Sequence, residues 1–220
     1  MPQPVHIRAS LVIVTYNNGG EIEACLRSAL PSLGPADELI VVDNASTDGT
    51  AGLVEATFPQ VQVLRAQGNL GFGGGSNLGA SHARGELLAF LNPDTTVEPG
   101  WLETLAAARQ AQPQAGLVTP KILLMDDPER INTCGNEIHI SGLTLCRGMG
   151  EPRSAYSQLE EVGATSGAAF AIRRELFETL GGFDEAFFMY MEDTDLSLRA
   201  RLAGWRIVYV PESIVYHDYR

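Results

Sequence analysis

Apolar residues in the first half of the chain gather in short runs separated by stretches of helical spacing. Ser10–Thr15 (SLVIVT), Glu38–Val42 (ELIVV), Val61–Arg65 and Glu86–Leu91 (ELLAFL) read as strands. Between them, Glu21–Leu33 places Ile22, Leu26, Ala29, Leu30 and Leu33 on one helical face. Thr50–Phe58 reads as a short helix stopped by Pro59, Gly74–Arg84 as a helix of small residues, and Pro99–Gln112 as a helix opened by Pro and Gly. Strands that are apolar almost without interruption, alternating with helices, predict an α/β chain whose parallel sheet is covered on both faces. Such sheets bind ligands outside the carboxyl ends of their strands. Here those ends are Tyr16–Gly20, Asp43–Gly49, Ala66–Gly75 and Asn92–Thr96, all rich in Asn, Asp and Gly.

The second half is patterned differently. Leu117–Met125 reads as a strand, and Asp126–Val162 as a polar, irregular stretch with glycines at 135, 142, 148 and 150. Gly163–Arg173 reads as a strand returning to the core, Arg174–Leu180 as a short helix, and Glu192–Leu202 as a helix ended by Gly204. Arg206–Pro211 and Ile214–His217 read as two final strands. No repeat or linker interrupts the pattern, so one domain is expected over residues 1–220, built from an N-terminal half (1–112) and a C-terminal half (113–220).

Composition narrows the function classes. The 15 basic residues against 27 acidic ones give a net charge of −12, which argues against sequence-independent nucleic-acid binding. Three cysteines without C-x-x-C spacing fit neither a disulfide framework nor a cysteine zinc site, and favour a reducing cytosol. No apolar run approaches the roughly 20 residues that span a bilayer, and MPQPVHIRAS lacks the layout of a signal peptide.

Several strand-end residues could carry chemistry. Asp43 ends a buried strand, where a carboxylate can bond a ribose or base edge, whereas Ser46–Thr50 reads equally well as a turn in which Asp48 caps a helix. Asn69–Asn77 (NLGFGGGSN) is a glycine-rich turn entering a helix. It fails the dinucleotide fingerprint at Ser76 and lacks the Lys-Ser/Thr of a P-loop. In Asn92-Pro93-Asp94, Pro93 stiffens a turn that presents Asp94 to a hard cation such as Mg²⁺ or Mn²⁺, or simply to solvent. Glu192-Asp193-Thr194-Asp195 opens a helix, where acids favour the dipole. The apolar Phe187–Met191 stretch just before it is expected to form a wall that desolvates a carboxylate and makes it a general base. His217 ends the last strand, while His6, His82 and His139 read as structural.

In this order and spacing, VTYNN (Val14–Asn18), VVDNASTDGT (Val41–Thr50), NLGFGGGSNLG (Asn69–Gly79), FLNPDT (Phe90–Thr95), Ser166–Glu185, Phe187–Trp205 and VYH (Val215–His217) resemble the inverting GT-A-type glycosyltransferases of family two. The likeness extends to the rhamnosyltransferase and galactofuranosyltransferase-like branch and runs over nearly the whole chain. It implies a Rossmann-like three-layer sandwich with a mostly parallel central sheet, binding a nucleoside-diphosphate sugar. By the same resemblance Thr15, Tyr16 and Asn17 line the nucleotide pocket and Asp43 contacts base or ribose. Asn69, Gly71, Phe72, Gly73 and Asn77 shape the pocket wall near nucleotide and sugar. The family's Asp-x-Asp metal motif corresponds to Asn92-Pro93-Asp94, so that Asp94 and His217 are the expected ligands of Mn²⁺ or Mg²⁺, and Asn92, standing where the first acid would be, is counted with the donor site. Glu192-Asp193 is the acidic pair, with Asp193 as catalytic base. Trp205 and Arg199 are further candidates for acceptor or diphosphate.

The resemblance therefore implies transfer of a sugar, rhamnose first, from a dTDP- or UDP-linked donor to a glycan or lipid-linked acceptor. It also implies a cytoplasmic protein, with peripheral association at the inner face of the membrane. Two other classes compete. A non-catalytic nucleotide-sugar binder has no need of Asp193, and a sugar nucleotidyltransferase would want basic residues that Asn69–Asn77 lacks. Because little chain follows His217, a minimal or truncated catalytic domain is expected.

Overall fold

The structure is a computed structural model describing residues 7–219, so His6 lies outside the described residues. Strands β1 (Ala9–Thr15), β2 (Asp37–Asp43), β3 (Gln62–Arg65) and β4 (Leu87–Leu91) alternate with helices α1 (Ile22–Ala29), α2 (Thr50–Thr57) and α3 (Gly71–His82). There follow β5 (Thr95–Val97), α4 (Trp101–Ala111) and β6 (Ala115–Leu124). The short strands β7 (Ile131–Thr133), β8 (Asn136–Ile138), β9 (Thr144–Cys146) and β10 (Glu160–Glu161) come next. The chain then runs through β11 (Ala169–Arg173), α5 (Arg174–Thr179), α6 (Glu192–Leu202) and β12 (Arg206–His217).

The main sheet has the order β10-β12-β6-β11-β4-β1-β2-β3, with β5 beside β12 and β7 beside β6. β4, β1, β2 and β3 run parallel, as do β6 and β12, while β11 is antiparallel between β4 and β6. Strands from both halves of the sequence thus share one sheet. Their side chains alternate between two buried clusters. Leu11, Ile13, Val41 and Leu91 pack with Ile22 and Leu26 of α1 and with Trp101 and Leu105 of α4. Val12, Val14, Ile40 and Phe90 pack with Ala80 of α3, Phe177 of α5 and Leu196 of α6. A core on each face explains why the strands read as continuous apolar runs, and it makes the molecule a three-layer α/β/α sandwich. Each fully buried Leu or Ile contributes roughly 1.5–3 kcal/mol to it.

Four elements differ from the sequence expectation. Helix α3 starts at Gly71 rather than Gly74, so the glycine-rich segment is its first turn. The glycines are there for packing: a Cβ on Gly79 would lie 2.4 Å from Val12 Cγ1, and one on Gly75 2.7 Å from Val14 Cγ1. The helix therefore rides on β1 closer than any larger residue permits. Of Gly163–Arg173 only Ala169–Arg173 is strand; the preceding residues make single bridges, Asn136–Ala164 and Ser166–Ala169. The two expected final strands are one, with a bulge between Val210 and Ile214 that takes up Pro211, a residue without a ladder donor. The stretch 126–162 is ordered into β7 to β10, with β8 and β9 forming a separate two-stranded ladder.

Candidate active site

The carboxyl ends of β1 and β2 form one edge of the site. Register places Thr15 beside Asp43, and both residues are buried. Thr15 Oγ1 and Asp43 Oδ1 have no protein partner, although the other Asp43 oxygen accepts a bond from Ser46 N at 3.3 Å. The loops beyond are laced together. Asn17, at φ 56°, accepts a bond from Thr47 N at 2.8 Å and donates its own N–H to Ser46 Oγ at 2.9 Å. Asp48 accepts from Gly19 N and from the Thr50 backbone and hydroxyl, which hold its carboxyl below the usual range. Tyr16 stands at the rim, 46% exposed.

The residues at the start of α3 have a different setting from a free pocket wall. Asn69 Oδ1 accepts bonds from Gly71 N (2.9 Å) and Asn44 Nδ2 (3.1 Å), and Asn44 in turn accepts from Leu70 N. Gly71, at φ +73°, lies so close to the Phe188 carbonyl that a Cβ would come within 2.0 Å of it, and Phe72 N donates to that same oxygen. Phe72 packs edge-on against Phe183, and Gly73 faces Phe183 Cβ. Asn77 is fully engaged: its Nδ2 donates to Phe183 O and Glu185, and its Oδ1 accepts from Phe183 N. These residues clamp the segment that leads into α6. Asn44 was not singled out from the sequence, and as a buried bridge between loops it carries no local signal.

The Asn92-Pro93-Asp94 turn leads from β4 into β5. Thr95 Oγ1 and the Cys25 thiol donate to the Asn92 carbonyl, which fixes the turn, and burial pushes that thiol up to about 12. β12 pairs with β5 so that His217 lies opposite Thr95, and Asp218 N donates to Asp94 O at 3.0 Å. The result brings His217 Nε2 to 3.6 Å from Asp94 Oδ1. That is longer than a hydrogen bond and within the roughly 4.2 Å that two atoms each about 2.1 Å from one cation can span. Asp94 Oδ1 is buried without a hydrogen-bond partner. An unpartnered carboxylate oxygen facing an imidazole nitrogen suits a divalent metal, as does the O/N donor set. Among the described residues no cluster of three or more His, Cys, Asp or Glu surrounds a common point. On its far side His217 Nδ1 lies 2.9 Å from Asn132 Oδ1.

The acidic pair occupies the first turn of α6. Asp193 Oδ2 accepts from Gly167 N at 2.6 Å, and its Oδ1 from Thr194 N at 2.6 Å. Burial nonetheless raises its pKa, outweighing those two backbone donors. Glu192, 6% exposed and with Oε2 unpartnered, is pushed by burial up to about 7. The source of this desolvation corrects the sequence reading. Phe187–Met191 is not a buried wall: Phe188 is 50% and Tyr190 78% exposed, and Tyr190 and Met191 have positive φ. Asp193 is instead enclosed by the Gly167 segment and the β8–β9 hairpin, whose Thr144 touches Thr194. Gly167 and Ala168 tie the site together, because Asn92 N donates to Ala168 O at 2.9 Å while Gly167 N holds Asp193.

Arg199 is occupied elsewhere, by Asp195 and by the carbonyls of Leu180 and Gly182. Trp205 lies beside Gly116 with the Arg173 guanidinium over its ring. His82 and His139 make only local bonds, His82 to Leu78 O and Ser81, and His139 to Ser141.

A parallel α/β sandwich with acidic and polar side chains gathered at its strand ends defines the GT-A class of fold, and comparison with solved structures agrees. GalNAc-T7, solved with UDP, GalNAc and Mn²⁺, superposes with a TM-score of 0.81 at 21% identity, over 98% of this chain and 44% of that one. The mannosyltransferase PcManGT from Pyrobaculum calidifontis, in complex with GDP-Man and Mn²⁺, gives 0.71 at 22% identity, over 98% and 58%. The chain belongs to glycosyl transferase family 2, whose family model matches residues 10–181. It is 33% identical to an N-acetylglucosaminyl-diphospho-decaprenol L-rhamnosyltransferase from Mycobacterium tuberculosis, over 94% of this chain and 75% of that protein. The chain thus spans three quarters of this relative and about half of the two solved proteins. No helix among the described residues is long and apolar enough to cross a membrane.

Proposed function

We propose that this chain is an inverting glycosyltransferase domain, residues 1–220 forming one catalytic unit, that moves a sugar from a nucleoside-diphosphate donor to an acceptor hydroxyl. The observation that carries the reading is the Gly167-Ala168 dipeptide. Its Ala168 carbonyl accepts from Asn92 N at the start of the Asn92-Pro93-Asp94 turn, and its Gly167 N–H holds Asp193. A cation-binding pair and a carboxylate base are thereby held on either side of one short segment, as in-line transfer requires.

Each group has a task suited to its surroundings. Thr15 Oγ1 and Asp43 Oδ1, buried and unpartnered, are placed to bond the nucleoside, with Tyr16 and Asn17 at its edge. Asp94 and His217 would hold Mn²⁺ or Mg²⁺, which when bound supplies positive charge for the departing diphosphate. Asn92 stands beside them for the donor. Asp193, whose carboxylate oxygens each accept one backbone N–H, takes the proton of the acceptor hydroxyl as it attacks the anomeric carbon from the face opposite the diphosphate. Its raised pKa makes it a stronger base than an exposed aspartate. Glu192, its carboxyl pushed by burial up to about 7, stands beside it in the same helix turn.

Rhamnose from dTDP-rhamnose is the first donor choice, supported by the rhamnosyltransferase relative. UDP-galactofuranose and UDP-GlcNAc are the next donors to screen. A lipid-linked saccharide suits the acceptor side, where Phe187, Phe188, Met189 and Tyr190 are exposed just before the base. The same feature supports peripheral action at the inner membrane face. The test is a thermal-shift and calorimetric screen of dTDP- and UDP-sugars with and without Mn²⁺. Stabilisation by one nucleotide sugar that depends on Mn²⁺ is expected. No response to any nucleotide sugar would overturn the reading.

A further inference from the structure

The two ring nitrogens of His217 meet different neighbours. Nε2 faces Asp94 Oδ1 at 3.6 Å, and Nδ1 lies 2.9 Å from Asn132 Oδ1. Asn132 is 2% exposed. It sits in β7, whose partner β6 also pairs with the end of β12, where Leu124 stands opposite His217. Its amide is oriented by its own surroundings, since Nδ2 points to the Met149 thioether at 3.9 Å, a weak acceptor, and the oxygen is left facing the imidazole.

An amide oxygen can only accept. The proton in the Asn132–His217 bond therefore belongs to Nδ1, and a neutral His217 presents the bare lone pair of Nε2 to Asp94. This is the reverse of the tautomer that a neutral histidine side chain favours in water, which carries its proton on Nε2 and would aim an N–H at the place where a cation has to sit. Among the described residues the Asn132 side chain bonds His217 through its oxygen and Met149 through its nitrogen, so its link to the Asp94 pair runs through His217.

We propose that Asn132 is a positioning residue for the metal pair: it holds His217 in the Nδ1–H tautomer and ring orientation that present Nε2, together with Asp94, to a divalent cation. The inference rests on the metal reading given above. Partners of this kind are commonly worth 10–100-fold in metal affinity.

The test uses the intact chain and two readouts that need no turnover. Long-range ¹H–¹⁵N correlation spectra, at a pH where histidine is neutral, report the His217 tautomer. Electron paramagnetic resonance of free Mn²⁺ reports affinity. The expected result is an Nδ1–H tautomer in the wild type, lost in Asn132→Leu together with about 10–100-fold of Mn²⁺ affinity. Asn132→Asp, which keeps an acceptor of the same shape, restores both. An Nε2–H tautomer in the wild type overturns the proposal, as does unchanged Mn²⁺ affinity in a folded Asn132→Leu. Asp94→Ala and His217→Ala separate the two claims. If they lose Mn²⁺ while Asn132→Leu does not, the positioning role alone is wrong. If all three bind as wild type, the metal reading falls and the positioning role with it. Should Asn132→Leu fail to fold, the wild-type tautomer and the Asn132→Asp affinity still decide.

Discussion

Glu192 and Asp193 are adjacent, yet the fold treats them differently. Burial raises both, and two backbone N–H groups offset only part of the rise at Asp193, while Glu192 keeps one oxygen unpartnered. The folded-state pKa of Glu192 is about 7 against an ordinary 4.5. The protonated form is therefore the one the fold favours. Its contribution is fully present below pH 4.5 and is lost as pH rises through about 7. Glu192→Gln should thus gain stability over the wild type between those limits and hold the gain above them, by a few kcal/mol at most. Urea denaturation at pH 5 and pH 8 measures this, and equal wild-type-to-variant differences at both pH values would count against it. At the same scale, Asp94→Ala and His217→Ala should each raise the Mn²⁺ concentration needed for half-maximal transfer, read from a metal titration. The proposed base, Asp193, and the proposed ligand, His217, could be singled out from the sequence because they lie in contiguous motifs. Asn132 could not, since it is 85 positions from His217 and nothing beside it signals a polar role.

At the scale of elements, the apolar runs of β1, β2 and β4 were legible because their burial on both faces is a property of each strand by itself. Helix α3 was legible only in part. Glycine is a poor helix former, so a local reading starts the helix after the glycines. Contact with β1 overrides propensity, because only residues without a Cβ let α3 approach Val12 and Val14. Gly79→Ala should accordingly cost about 1–3 kcal/mol by overpacking. Gly52→Ala in α2, where an added Cβ meets nothing within 4 Å, should be neutral or stabilising by up to about 1 kcal/mol. Thermal denaturation of the two variants side by side checks the contrast; equal effects would remove the packing argument. Strands β5 and β7 to β10, two or three residues each, are too short to show a period in the sequence, and β5 and β10 are defined by pairing with β12 far along the chain. The Phe187–Met191 stretch misled for a related reason. Hydrophobicity alone does not say whether a run is covered, and a loop with two positive-φ residues turns this one outward.

Across the whole molecule, the sheet joins the β1 and β2 edge, proposed to take the nucleoside, to a C-terminal part that supplies His217 and Asp193. The net charge of −12 now has a local meaning. On the proposed reading, a diphosphate approaching the acidic groups Asp43, Asp94, Glu192 and Asp193 needs a cation. The rate should fall as pH drops through the Asp193 pKa, and that fall should come at a higher pH than an exposed aspartate would give, because burial raises it. A pH–rate profile under Mn²⁺ saturation shows where it lies. The most direct measurement is single-turnover sugar transfer, followed by mass spectrometry with the donor found in the screen, comparing wild type with Asp193→Asn at equal donor occupancy. The account predicts donor binding within error of the wild type and transfer reduced about 10²–10⁴-fold. Wild-type turnover by Asp193→Asn would contradict it.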